Sequence, residues 1–130
     1  MTRTILFLGS GNEGKTALIN CYPLVRMLDQ VTSLATFNGE QVKIIEANSL
    51  ADVVAKKVDT VVTFQSLDCK VDMTHVVALR SIVASRYPNA KQLVALNKAD
   101  CTSDRSLASP TVIYTCAVTG YGCDRLAAAC

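Results

Sequence analysis

Between Gly9 and Thr16 the chain reads GSGNEGKT. Two glycines bracket four residues, and a lysine and a hydroxyl follow at once, in the spacing G-x-x-x-x-G-K-[ST]. Such a stretch can hold a chain of phosphates. Its glycines let backbone approach a ligand, and the N–H groups of Asn12 to Thr16 can converge on one phosphate. A helix starting there would add a favourable dipole. Lys15 would neutralise the β and γ oxygens, and the Thr16 hydroxyl would bind Mg²⁺. The candidate phosphate-binding residues are therefore Gly11, Asn12, Glu13, Gly14, Lys15 and Thr16.

The elements that must position this loop are legible on either side of it. Thr4 to Leu8 (TILFL) is a short apolar run ending at a glycine, which predicts a buried strand. Lys15 to Tyr22 has helical spacing, with Leu18, Ile19 and Tyr22 on one side and Pro23 to end it. Thr32–Phe37 and Gln41–Ala47 read as strands joined through Asn-Gly, a hairpin signal. A short helix is expected over Ser49–Lys57, a strand over Asp59–Phe64 and a long amphipathic helix over Met73–Arg86, stopped by Pro88. Strands follow at Gln92–Leu96 and Thr111–Thr115, then a terminal helix over Gly122–Cys130. This alternation implies a mostly parallel sheet covered on both faces, with ligands bound beyond the carboxyl ends of its strands.

Two further motifs lie at such strand ends. NKAD, Asn97 to Asp100, closes the strand QLVAL, and TCAVTGYG, Thr115 to Gly122, follows TVIYT. With these the chain resembles the Ras-like GTPase superfamily across nearly its whole length. The superfamily's guanine-reading motif is N-K-x-D, and its last motif is T-S-A-K or T-C-A-K. The resemblance implies an α/β fold: a three-layer P-loop NTPase with a mostly parallel sheet and one antiparallel edge strand, forming one small G domain over residues 1–130. It also implies a guanine site. Asp100 would accept hydrogen bonds from guanine N1–H and N2–H₂, which adenine cannot supply. Asn97 would brace the loops, and the stem of Lys98 would cover the base. Cys116, Ala117 and Val118 would complete the site, with the Ala117 N–H meeting guanine O6. Val118 stands where the family commonly has lysine.

The departures fall on the catalytic side. The family's D-x-x-G follows the second hairpin strand, which here ends IIEANSL. Glu46 takes the aspartate's place, one methylene longer, and Ser49 takes the glycine's. The next residue, which in the family positions water, is Leu50, and leucine cannot orient water. Thr32, more than Thr36, is the hydroxyl the resemblance offers to magnesium from the first switch. The candidate metal residues are Thr16, Thr32 and Glu46. Connections that carry helices in the family are short here, so the chain reads as a trimmed member. Asn12, in G-x-x-N-x-G-K-[ST], is similar to the ribosome-assembly and FeoB-like GTPases, where that asparagine can ligate K⁺. The stretch from Thr32 to Leu50 resembles signal recognition particle receptor β and Arf-like proteins. It equally resembles the small GTPase-like proteins of ethanolamine and propanediol utilisation.

Composition sets limits on other readings. The chain has 130 residues, half of them apolar, and a net charge of +2. That is enough to bury a core and too weak a charge to argue for nucleic acid. No apolar run reaches the roughly 18–20 residues of a membrane span, and there is no lipidation motif. A cytoplasmic protein is expected. Six cysteines without C-x-x-C, and one histidine, argue against a zinc site. The expected ligands are GTP or GDP with Mg²⁺, and a protein partner of unknown identity is expected. The reading is a small molecular switch with slow or partner-dependent GTP hydrolysis and no catalytic residue singled out. The alternative is a non-hydrolysing, GTPase-like interaction module in a larger complex. An ATPase or small-molecule kinase is disfavoured by Asp100.

Overall fold

The computed structural model describes residues 2–9, 11, 13–68 and 71–130. Asn12, one of the candidate phosphate-binding residues, lies outside them. Seven strands form one sheet: β1 (Arg3–Leu8), β2 (Arg26–Met27), β3 (Thr32–Phe37), β4 (Glu40–Ala47), β5 (Thr60–Ser66), β6 (Lys91–Asn97) and β7 (Val112–Tyr114). Their order is β2-β3-β4-β1-β5-β6-β7. From β4 to β7 every neighbouring pair is parallel. The hairpin makes β3 antiparallel to β4, closing at Phe37↔Glu40 around Asn38 and Gly39. Both turn residues are left-handed, at φ 51° and 82°, the conformation that matches the strand twist and that Asn-Gly favours. The two-residue β2, which the sequence did not suggest, adds a second antiparallel pair beyond β3.

Among the described residues three α-helices cover the sheet: α1 (Lys15–Ile19), α2 (Met73–Arg86) and α3 (Cys123–Ala129). Strand alternation sorts the core into two faces. On one face Ile5 and Phe7 of β1 pack with Leu18 and Tyr22, with Val62 and Phe64 of β5, and with Leu126 of α3. On the other, Leu6 and Leu8 meet Val61, Val83 and Tyr87. Burying each such side chain contributes about 1.5–3 kcal/mol. The layers are therefore α1 and α3, sheet, α2.

Two expectations about helices need correction. Helix α2 has the expected bounds, capped by the Asp72 carboxylate on the His75 N–H at 3.1 Å. It is less amphipathic than its sequence suggested. Only Val76 and Val83 are buried, with Leu79 half-buried between them, while Val77 and Ile82 face solvent. The expected helix over Ser49–Lys57 reduces to one 3₁₀ turn, Leu50–Asp52, capped by the Ser49 hydroxyl. Side chains from the end of α2 take the carbonyls a helix would have used. Arg86 donates to the Leu50 and Val53 carbonyls, and the Tyr87 hydroxyl donates to that of Ala55 at 2.6 Å. Val53 and Val58 meanwhile bury themselves beneath this strap.

Candidate functional site

The loops that follow β1, β4, β6 and β7 meet at the carboxyl edge of the sheet, because these strands run parallel side by side. Gly9 anchors the first loop to the fourth strand, its N–H donating to the Ala47 carbonyl at 3.1 Å. The loop ends on Gly14 in the left-handed region, at φ 84°, and α1 begins at Lys15. A Cβ on Gly14 would lie 2.7 Å from the Asn97 amide nitrogen. The close approach of the two loops thus needs a glycine there.

Asn97 is the tie of the site. It is 1 % exposed. Its Nδ2 donates to the Glu13 carbonyl at 2.6 Å, and its Oδ1 accepts from the Thr115 hydroxyl at 2.9 Å. One side chain thereby joins the phosphate loop to the ends of β6 and β7. Lys98 follows in a left-handed conformation, with its Cε 3.9 Å from where a Gly14 Cβ would lie and its ammonium 2.7 Å from Asp68. Asp100 is exposed in a single 3₁₀ turn over Ala99–Cys101, and its Oδ1 lies 3.5 Å from the Cys116 thiol. The Ala117 carbonyl accepts from the Cys21 thiol at 3.0 Å, linking this loop to the end of α1. Val118 is 89 % exposed. The three stretches picked out by sequence are thus brought together.

The metal candidates divide. The Thr16 hydroxyl donates to the Glu46 carboxylate at 2.6 Å. The pair offers two hard oxygen ligands at the mouth of the phosphate loop, a donor set that fits Mg²⁺. Thr32 lines the same cavity, but among the described residues no hydrogen bond links it to either. Its amide and hydroxyl turn to Asp29, whose carboxylate accepts the Val31 and Thr32 N–H groups at 2.9 and 2.7 Å. The Val31 amide, first, and the Thr32 hydroxyl and amide hold the Asp29 carboxyl below its ordinary value.

The cavity in front of the loop has a volume of about 1040 Å³. Gly14, Lys15 and Thr16 form one wall, and Asp29, Thr32, Glu46 and Asn48 form others. It reaches past Lys43 and Ile45 to Val54, into the space left where no helix follows β4. Asn48 belongs to none of the sequence motifs, yet its Oδ1 accepts from the Lys15 ammonium at 3.1 Å. Its place two residues beyond Glu46 was the only local signal. Leu50 packs against the core beneath α2 and presents no polar atom to the cavity. His75 is exposed on α2. Among the described residues, no helix is long and apolar enough to cross a membrane, and no cluster of three His, Cys, Asp or Glu side chains could hold a metal on its own.

No protein-family model matches the chain, and no curated protein sequence matches it. Solved structures do. The chain is similar to the FeoB G-domain from Methanococcus jannaschii, with a TM-score of 0.69 at 20 % identity, covering 99 % of this chain and 96 % of that one. Agreement end to end at so low an identity is agreement of fold. The seven-stranded, mostly parallel sheet with a phosphate-type loop after its first strand is an α/β P-loop fold.

Proposed function

We propose that the chain is a guanine-nucleotide-binding protein, a small GTPase-like switch whose GTP hydrolysis is slow or depends on a partner. The observation that carries this is the Asn97 tie. It fixes the loop that would hold phosphates against the two loops that would hold a base. The likeness to the FeoB G-domain supports the same reading. Lys15 would sit on the β and γ phosphates. Asp100 would accept the two guanine donors, with Ala117 opposite O6 and the stem of Lys98 along the ring. Mg²⁺, when bound, would screen phosphate charge, held by Thr16 with Glu46 behind it.

Hydrolysis also needs a group that aligns water against the γ-phosphorus. Leu50, in the corresponding place, points into the core, so the chain's own residues bind and orient nucleotide without activating water. Because of this, a non-hydrolysing interaction module in a larger complex is the second reading. Calorimetry with GTP, GDP and ATP, with and without Mg²⁺, tests the first. Guanine nucleotides should bind and ATP should not, and Asp100→Ala should remove most of that preference. Equal binding of ATP and GTP by the wild type would sink the guanine assignment.

A further inference from the structure

The motif gives Glu13 only a backbone role in the phosphate loop, yet its side chain is one of the few buried charges among the described residues. It is 5 % exposed, and Lys15 is 4 % exposed. Glu13 Oε1 accepts from the Gly11 N–H at 2.9 Å and from the Lys15 ammonium at 3.2 Å. A Cβ on Gly9 would stand 2.7 Å from that oxygen and 3.1 Å from the Lys15 nitrogen. The first glycine of the motif therefore leaves the space in which the carboxylate and the ammonium meet. The backbone N–H and the cation that a phosphate oxygen would use are already held by an anion belonging to the chain.

We propose that Glu13 is a tethered competitor of the nucleotide phosphates. A phosphate entering the loop must take Lys15 and the Gly11 amide from the carboxylate, or share them with it at close range. Either route costs affinity, since two anions so near one cation repel in a water-poor site. The consequence is weak binding and rapid, unassisted nucleotide release. This rests on the reading above for the choice of nucleotide, but not for the competition itself. Any polyphosphate that uses Lys15 would meet the same carboxylate.

The test measures GDP, ADP and inorganic pyrophosphate binding to wild type, Glu13→Gln and Glu13→Ala, together with the GDP dissociation rate. Charge-assisted hydrogen bonds of this kind are strong, so both variants should bind GDP and pyrophosphate about tenfold or more tightly. GDP should also leave more slowly. The melting temperature of each variant without ligand should fall, because Lys15 loses the Glu13 carboxylate and keeps, among the described residues, only the neutral Asn48 carbonyl, and the rise on adding pyrophosphate should grow. Unchanged or weaker binding in both variants would overturn the competitor, making Glu13 a counter-ion that holds Lys15 in place. A wild-type preference for GDP over ADP would still uphold the guanine reading in that case. ADP binding as well as GDP, with both tightened in the variants, would keep the competitor and discard the guanine site. No binding of GDP or pyrophosphate by any of the three proteins would overturn both.

Discussion

Lys15 carries the one ammonium buried in the phosphate loop, so Lys15→Ala should reduce nucleotide affinity sharply. An affinity unchanged in calorimetry would leave the loop a mere turn and favour the scaffold reading. Asn97 acts on structure as well as on binding. Its carboxamide is buried, and it serves the Glu13 carbonyl and the Thr115 hydroxyl. Asn97→Ala would strand both groups away from water, at about 1–3 kcal/mol for each. Urea unfolding should show a loss of that order, where substitution of exposed Val118 should show almost none. Thr16→Val should leave the fold intact and remove the Mg²⁺ dependence of nucleotide binding, since it deletes the hydroxyl bonded to Glu46. Glu13 and Lys15 illustrate how little a motif says of its side chains: the spacing marks a phosphate loop whatever occupies its variable positions.

At the scale of elements, two connections lack the helices that the family resemblance implies, and in each an arginine takes over. Arg86 and Tyr87 strap the segment from Leu50 to Ala55. Arg105 donates to the Thr102 and Ala99 carbonyls at 2.7 and 3.2 Å, and its guanidinium lies over the rings of Tyr114 and Tyr121, 4.9 and 5.2 Å from their centres. A single side chain therefore holds the turn that carries Asp100. Arg105→Ala should speed amide exchange across residues 99–108 and weaken guanine binding while α2 stays protected. Exchange equal to wild type would show that the loop holds itself. The terminal helix adds a pH effect. Burial, above all, pushes the Cys123 thiol from its ordinary 9.0 up to about 12, and Cys130 likewise. The unfolded chain loses these protons first, so it binds fewer of them between about pH 9 and 12. Stability is thus full below pH 9 and falls as pH rises through that window. Urea midpoints should decline from pH 8 to 10.5, and the decline should shrink in Cys123→Ala.

For the whole molecule, the phosphate-type loop, the Thr16–Glu46 pair and the loops after β6 and β7 occupy one edge of the sheet, and Leu50 is packed against the core beside it. Single-turnover hydrolysis of GTP by the chain alone should be at or below the rate of an unassisted Ras-like protein, about 10⁻⁴ per second. A rate near one per second would require a water-positioning residue, with Asn48 the first to substitute because it already faces Lys15. The succession of strands along the chain was written locally: short apolar runs ending at glycines and polar motifs, an Asn-Gly turn, and a stop at Pro88. The phosphate loop and NKAD were equally legible, since both are defined by residue type at fixed spacing. Three other features were not. The strap that replaced the helix after Ser49 joins residues over thirty positions apart. The two-residue edge strand β2 exists only because β3 offers it a ladder. The turning of Thr32 toward Asp29 depends on how the chain folds back before β3. Sequence alone thus determined most of the strands and the spacing of the motifs, because periodicity and turn chemistry act between near neighbours. The tertiary structure alone decided where the charged side chains point. An amide or guanidinium goes to whichever distant backbone group packing brings within reach, as Asn97 goes to the Glu13 carbonyl and Arg86 to those of Leu50 and Val53.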